Sequence, residues 1–210
     1  ERNNLNEDDL ASIRKITNCK IVVVDSPENL RLEADLNIYP PISQIYDWNW
    51  DNYNGKILSG WEYVFLRDRD NINYANKEKY QNKVLLSFGS TDPFGFTKTF
   101  IKLILDNYKL FNSKKFIIVM GPQNQDSKEI SKLITQNNNI FEVKVFPHDL
   151  FDIMNYVDYA FISFGVTAYE LARLNTPFIS ISISEDHENS ASVFIKNNLA
   201  MSFGILDINK

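Results

Sequence analysis

Apolar residues recur along this chain in short runs that are hydrophobic on both faces. Such runs are typical of parallel strands covered by helices on both sides of a sheet. Six of them occupy residues 20–25, 83–89, 115–121, 141–146, 159–165 and 178–184. Segments with helical spacing lie between them, and one contains Ile130, Leu133 and Ile134. This alternation predicts an α/β fold built on a right-handed, doubly wound parallel sheet.

The first eighty residues follow a different pattern. A polar helix is expected around residues 9–16, ahead of the strand at 20–25. The stretch 67–82 is charged and polar, which favours a linker or an exposed helix. We therefore predict two domains, residues 1–79 and residues 80–210.

The ends of the chain and an aromatic loop suggest a piece of a longer protein. The chain starts at Glu1 in a polar segment, and it stops soon after a strand-like run. An aromatic loop is expected to pack onto a missing half of the protein. Its ring-bearing residues are Tyr46, Trp48, Trp50 and Tyr53.

Composition narrows the class of protein. A net charge of −5 and the absence of a Lys/Arg cluster argue against a nucleic-acid surface. The lone Cys19 excludes a disulfide framework. No apolar run reaches about 18 residues, so we expect no membrane span and a cytoplasmic location. The two histidines, His148 and His187, lack the spacing of metal ligands, so we expect no metal.

The loop after the strand at 83–89 is the first candidate binding element. Gly89 permits a close approach of the backbone, and Ser90 and Asp92 can bind or cap. A helix is expected to start near Thr97, so its N-terminus would favour a phosphate. The alternative is an ordinary strand–helix turn with N-cap residues.

The turn after the strand at 159–165 is the second candidate. Gly165 can approach a pyrophosphate, Thr167 can donate a hydroxyl, and Glu170 can accept hydrogen bonds from a ribose. Thr167 and Glu170 also have the spacing of a capping box, so sequence alone leaves both interpretations open.

Two further turns carry polar groups. Asp186 and His187 can form an acid–base pair, although a helix starting near His187 is the favoured interpretation. In the turn after residues 141–146, Phe146 offers a ring face, and His148 begins the next helical segment.

The order of these motifs resembles the C-terminal half of GT-B sugar-nucleotide enzymes. The similarity is to the UDP-sugar hydrolases of pseudaminic acid biosynthesis and the related spore-coat polysaccharide proteins. It extends over nearly the whole chain. "VLLSFGSTDP" resembles the family's phosphate-side loop, and "FISFGVTAYELARLNTPF" resembles its nucleotide site. In the second motif five residues fall in register: Thr167, Tyr169, Glu170, Leu171 and Pro177.

The resemblance implies two Rossmann-like domains, a UDP-sugar substrate held mainly by the second domain, and no separate cofactor. It implies that Gly89, Ser90 and Asp92 line the cleft. Phe146 and His148 would flank the uracil, and Gly165 and Thr167 would meet the diphosphate. Glu170 would bind the ribose, while Asp186 and His187 would approach phosphate or sugar. In the hydrolase, water attacks the anomeric carbon and UDP leaves, with a histidine of the N-terminal domain as base.

The chain departs from the family pattern at three places. The paired glycines appear as Gly89-Ser90 and Phe164-Gly165, and the "NQ" pair appears as Asp186-His187. Phe164 would crowd a diphosphate, and Asp186 would repel one by about 1 kcal/mol at short range. The glycine-rich loop with the catalytic histidine is absent, so its base is expected upstream of Glu1.

Three functions remain open at this point. They are a UDP-sugar hydrolase, a GT-B glycosyltransferase and a degenerate binding domain. All depend on one geometric prediction: the loops at 89–93 and 164–170 converge at one rim of the sheet, with room for a pyrophosphate between them. A Phe164 ring that filled this space would contradict the prediction.

Overall fold

A computed structural model describes residues 7–67, 82–111, 113–148 and 150–206 of the chain. The chain divides into two compact units, Glu1–Arg67 and Asp68–Lys210. The domain boundary predicted at residues 79/80 lies outside the described residues.

The first unit is a helix followed by a small parallel sheet. Helix α1 (Glu7–Thr17) precedes the strands β1 (Val22–Val24), β2 (Leu36–Tyr39) and β3 (Lys56–Ser59), which lie in the order β1-β2-β3. Its core contains Leu10, Ile21, Val23 and Ala34. The helix expected around 9–16 and the strand expected at 20–25 are confirmed.

A carboxylate joins α1 to the sheet of this unit. The side chain of Asp35 accepts hydrogen bonds from the backbone N–H of Ile21 at 2.9 Å and from Lys20 Nζ at 3.1 Å. The guanidinium of Arg14, on α1, lies 3.1 Å from the same carboxylate. These three donors hold the pKa of Asp35 well below its usual range, with the Ile21 N–H as the largest cause.

Two rings of the aromatic loop pack against Tyr39 inside the first unit, and the expectation that the loop covers a missing half stays a prediction. The ring of Trp48 lies edge-on to Tyr39 at 5.3 Å, and Trp50 lies 6.3 Å from Tyr39. The buried guanidinium of Arg31 sits over both indoles, at 5.5 and 5.1 Å from the ring centroids. Burial raises the pKa of Tyr39 to about 12. Tyr46 is the exception in this loop, because it is exposed.

The second unit is built on six parallel strands. They are β4 (Lys83–Ser87), β5 (Lys115–Met120), β6 (Phe141–Val145), β7 (Tyr159–Ser163), β8 (Phe178–Ser182) and β9 (Ala200–Ile205). Their order in the sheet is β6-β5-β4-β7-β8-β9, and every described pairing is parallel. The prediction of a doubly wound parallel sheet is confirmed.

Helices cover the two faces of this sheet. They are α2 (Phe96–Asp106), α3 (Tyr108–Phe111), α4 (Ser127–Thr135), α5 (Leu150–Asn155), α6 (Val166–Arg173) and α7 (Glu185–Lys196). One apolar core includes Phe100 of α2 and Ile130 of α4. The other, on the opposite face, includes Met154 of α5, Leu171 of α6 and Phe194 of α7. The central strands β4, β5 and β8 are buried along most of their length, as their pattern indicates, whereas Val145 of β6 is 53% exposed.

The order of the strands reverses between β4 and β7. From β4 the chain proceeds outward through β5 and β6, and it then returns to β7 on the other side of β4. Open α/β sheets bind ligands outside the carboxyl ends of the strands at such a switch point. The loop that contains Gly89 and the turn that contains Gly165 both lie at this position. No helix in the described part of the chain is long and apolar enough to span a membrane.

Candidate functional site

A cavity of about 210 Å³ lies at the carboxyl edge of the second sheet, at the switch point. Its walls come from the ends of β4, β5 and β6 and from the starts of α5 and α6. The lining residues are Ser87, Gly89, Ser90, Val119, Met120, Gly121, Phe146, Pro147, Leu150 and Thr167. Residues of the 89–93 loop and of the 164–170 turn thus face one cavity, as the geometric prediction requires.

The loop after β4 brings backbone close to the end of β7. Gly89 adopts a left-handed φ of +87°, which favours glycine. A Cβ added to Gly89 would lie 3.8 Å from the hydroxyl oxygen of Ser163, the last residue of β7. Both Gly89 and Ser90 are exposed at the mouth of the cavity.

Ser90 packs against a glycine that ends the neighbouring strand. A Cβ on Gly121 would lie 2.3 Å from the carbonyl oxygen of Ser90 and 2.7 Å from its Cα. Only glycine fits at residue 121 with this loop in place. The sequence analysis missed Gly121, although a glycine directly after the apolar run "FIIVM" was a usable signal.

The carboxylate of Asp92 faces its own helix. Its Oδ1 accepts a hydrogen bond from the N–H of Phe96 at 2.9 Å, and its Oδ2 accepts one from the N–H of Thr97 at 2.8 Å. Asp92 is buried and does not line the cavity. Asp92 therefore binds backbone N–H groups at the start of α2, as the capping alternative predicts, and does not line the cleft. The helix expected to start near Thr97 begins at Phe96.

The turn after β7 leaves the start of α6 open. Gly165 is the N-cap of α6, the helix begins at Val166, and no side chain caps it. Thr167 therefore lies within the first turn, which rules out the capping box that Thr167 and Glu170 would form. The Thr167 hydroxyl lines the cavity and makes no hydrogen bond to a residue in the described ranges.

A side chain at residue 165 would meet no neighbouring atom. Its φ of 165° is extended backbone that any residue adopts, and a Cβ there would have nothing within 4 Å. The fold thus does not require glycine at this position. Glu170 follows one turn later on α6, half-buried and outside the cavity lining.

The ring of Phe164 points away from the cavity. Phe164 is buried and packs edge-on against Phe194 at 5.4 Å and Tyr169 at 6.2 Å. It belongs to the apolar core beneath α6 and α7. Phe164, which replaces a family glycine, therefore does not crowd a diphosphate in the cavity, because its ring packs in the apolar core.

The segment after β6 forms an exposed aromatic wall. Phe146 is 67% exposed and adopts a left-handed φ of 44°, which is uncommon for a bulky residue. Its N–H donates to the carbonyl of Met120 at 2.9 Å, which fixes the segment to β5. His148 is exposed and outside the cavity lining, Asp149 lies outside the described residues, and α5 begins at Leu150.

The loop after β8 does not form an acid–base pair. Ser184 caps α7 by accepting the N–H of His187 at 3.2 Å, and the helix begins at Glu185, close to the expected position. The His187 Nδ1 atom is buried, and no described residue bonds to it. Asp186 is exposed in the first turn of α7. Neither Asp186 nor His187 lines the cavity.

The electrostatics of the cavity come from backbone rather than from charged side chains. None of its ten lining residues is ionisable. An anion bound there would be stabilised by the free N–H groups and the positive end of α6. Within the described ranges, no group of three His, Cys, Asp or Glu residues is placed to hold a metal ion.

A second, more open cavity of about 510 Å³ lies at the opposite edge of the same sheet. It is lined by the residues at which β7, β8 and β9 begin, including Tyr159, Phe178 and Met201. Ligands of open α/β sheets bind at the carboxyl ends of strands, so the smaller cavity is the candidate site.

Comparison with known proteins supports the fold. No protein-family model matches this chain. An uncharacterized protein of Methanocaldococcus jannaschii, MJ1062, is 22% identical over 192 residues, which are 86% of this chain and 39% of that protein.

Solved structures of similar fold include sugar-nucleotide proteins. A variant of the O-GlcNAc transferase of Thermobaculum terrenum has a TM-score of 0.55 at 13% identity, and covers 94% of this chain. S. aureus MnaA with UDP has a TM-score of 0.56 at 12% identity, and also covers 94%. The pneumococcal O-GlcNAc transferase with UDP and GlcNAc has a TM-score of 0.50 at 13% identity and covers 80%.

This chain is shorter than each of these proteins. It spans 45% of the Thermobaculum terrenum structure, 65% of the MnaA structure and 40% of the pneumococcal structure. At these identities the likeness shows the fold alone.

Proposed function

We propose that this chain carries the nucleotide site of a UDP-sugar enzyme. The observation that carries the proposal is the cavity at the switch point of the second sheet, with the uncapped N-terminus of α6 beside it. A neutral, partly apolar cavity suits a nucleobase, and an uncapped helix start suits a diphosphate.

The parts of the nucleotide would be shared among three segments. Phe146 would offer its ring to the uracil, since its strained backbone holds an exposed aromatic side chain at the mouth of the cavity. Thr167 and the N–H groups of α6 would bind the diphosphate together with the Gly89 loop. Glu170 would bind the ribose hydroxyls. Three residues outside the cavity lining would approach the substrate from nearby: His148, Asp186 and His187.

We infer that the whole protein is a hydrolase. A water oxygen would bond to the anomeric carbon, the bond from that carbon to the phosphate oxygen would break, and UDP would leave with the electron pair. The water proton would pass to a base that we do not assign to a residue of this chain. The substrate proposed from the sequence resemblance is a UDP-diacetamido-trideoxy sugar of surface-glycan biosynthesis.

Binding is tested first, by isothermal titration calorimetry of this chain with UDP, UMP and ADP. We expect UDP to bind more tightly than ADP, because a cavity of about 210 Å³ suits the smaller uracil ring better than adenine. No heat and no competition at millimolar UDP would overturn the proposal and favour a degenerate domain without nucleotide binding.

A glycosyltransferase is the second candidate, because two proteins of similar fold are O-GlcNAc transferases. The longer protein, incubated with a UDP-sugar and analysed by mass spectrometry, separates the two reactions. Free sugar together with UDP supports hydrolysis. Sugar attached to an added acceptor, with no free sugar, supports transfer and contradicts hydrolysis.

A further inference from the structure

The floor of the cavity contains a hydroxyl group without a hydrogen-bond partner. Ser87, the last residue of β4, is only 8% exposed and lines the cavity. Its side chain makes no hydrogen bond to any residue within 7–67, 82–111, 113–148 or 150–206. Ser87 lies within the motif "VLLSFGSTDP" but was not among the site residues predicted from the sequence.

The surroundings of Ser87 are apolar. Its neighbours in the adjacent strands are Val119 of β5 and Ile162 of β7, and both belong to the apolar core on this face. Leu85, two residues earlier on β4, faces the same core. The Ser87 side chain lies at the edge of this core and lines the cavity, where a bound ligand can reach its hydroxyl. No hydrogen bond within the described residues uses this hydroxyl, which points to a use outside the fold.

The depth of Ser87 indicates which part of a ligand it meets. Val119, Met120 and Gly121 are buried beside it, whereas Gly89, Ser90 and Phe146 are exposed at the mouth. No cationic side chain among the described residues lines the cavity, so a phosphate group is disfavoured at the apolar floor. A neutral polar group is compatible with it.

We propose that the Ser87 hydroxyl binds a polar atom of the neutral nucleoside part of the ligand and so selects what enters the floor of the cavity. This inference rests on the proposed nucleotide-binding function. It adds a specificity-determining residue at the end of β4, separate from the diphosphate groups at the mouth.

The test is Ser87→Ala, with binding of UDP, uridine and inorganic pyrophosphate followed by NMR titration of the isotope-labelled chain. Loss of one hydrogen bond should weaken UDP and uridine by the same factor, about five- to tenfold. Pyrophosphate binding should stay unchanged. The melting temperature of the free protein should be nearly unchanged, because the Ser87 hydroxyl makes no hydrogen bond to a described residue.

Ser180→Ala is the matched control in the same sheet. Ser180 is also buried, its hydroxyl donates to the carbonyl of Met201 at 3.4 Å, and it does not line the cavity. We expect this variant to melt at a lower temperature than the wild type and to bind UDP with unchanged affinity.

Three results would overturn the inference. They are unchanged UDP affinity in Ser87→Ala, a lower melting temperature of that variant, and an equal loss of affinity for pyrophosphate. Unchanged affinity would show that the Ser87 hydroxyl does not contact the ligand. A lower melting temperature would show that Ser87 is a structural residue. An equal loss for pyrophosphate would show that the hydroxyl contacts the phosphates. A wild-type chain that binds none of the three probes would instead refute the proposed function.

Discussion

Gly121 and Gly165 lie at the same edge of the sheet, but the structure constrains them differently. Gly121 leaves no space for a side chain, because the backbone of Ser90 lies against it. Gly165 has open space around it and an extended backbone. The packing of the fold therefore requires glycine at residue 121, and we expect ligand binding to require it at residue 165.

Alanine at each position should separate folding from binding. Gly121→Ala should lower the free energy of unfolding by about 1–3 kcal/mol, because the new methyl group overlaps Ser90. Gly165→Ala should change it by less than about 1 kcal/mol, yet should weaken UDP binding at least tenfold. Urea denaturation and UDP titration measure the two effects. Equal losses of stability in both variants would contradict this assignment.

Asp92 should behave as a structural residue. Asp92→Ala removes the acceptor of two backbone N–H groups at the start of α2, and it should lower the free energy of unfolding by about 1–2 kcal/mol. Asp92→Asn keeps one carbonyl oxygen and should lose less. Chemical denaturation measures both. An Asp92→Ala variant with wild-type stability and weaker UDP binding would show that the carboxylate contacts the ligand instead.

Among the secondary-structure elements, Asp35 makes the packing of α1 on the first sheet dependent on pH. Its lowered pKa means that the folded first unit favours the charged carboxylate. This stabilisation is present above the ordinary Asp pKa of about 3.9, and it is lost as the pH falls below that value towards the lowered folded pKa.

Asp35→Asn should therefore flatten the dependence of stability on pH below about pH 4. Lys20→Met, which removes one of the three donors, should give an intermediate profile. The measurement is the unfolding midpoint of each protein from pH 7 down to pH 2, followed by circular dichroism. A wild-type midpoint that stays constant over this range would contradict the role of Asp35.

The sequence predicted the elements of the second unit well and those of the first unit less well. Five of its strands, β4 to β8, were identified from long apolar runs, whereas β9 was noted only as a strand-like run near the end of the sequence. The strands β2 and β3 were not assigned, since each has four residues with mixed polarity, such as Asn37 within β2. The start of α6 was placed one residue late at Thr167, because a threonine resembles a cap and the true N-cap is Gly165.

At the scale of the whole molecule, the sequence located the edge of the candidate site but missed six of the ten described residues that line the cavity. Four residues predicted from the sequence line the cavity: Gly89, Ser90, Phe146 and Thr167. Ser87 and Gly121 were missed, because their importance depends on neighbours that are remote in the chain. Ser87 meets Ile162, and Gly121 meets Ser90, only once the strands are aligned.

Ligand binding should distinguish the two edges of the second sheet. Hydrogen exchange followed by mass spectrometry, with and without saturating UDP, should show slower exchange in residues 87–92, 119–121 and 165–168. The opposite edge, at residues 158–159 and 198–201, should exchange at the same rate in both conditions. Protection at that edge alone would place the nucleotide in the larger cavity and contradict the proposed site.

The contact between Ser90 and Gly121 also limits how the site can respond to a ligand. Since the Ser90 backbone lies against Gly121, the loop after β4 has no room to move toward the end of β5. This wall of the candidate site is thus already packed before a ligand binds, so we expect binding to cost little conformational entropy in the loop. If a nucleotide binds here as proposed, its capture should proceed as a single encounter step, and slow kinetic phases in the longer protein would arise elsewhere.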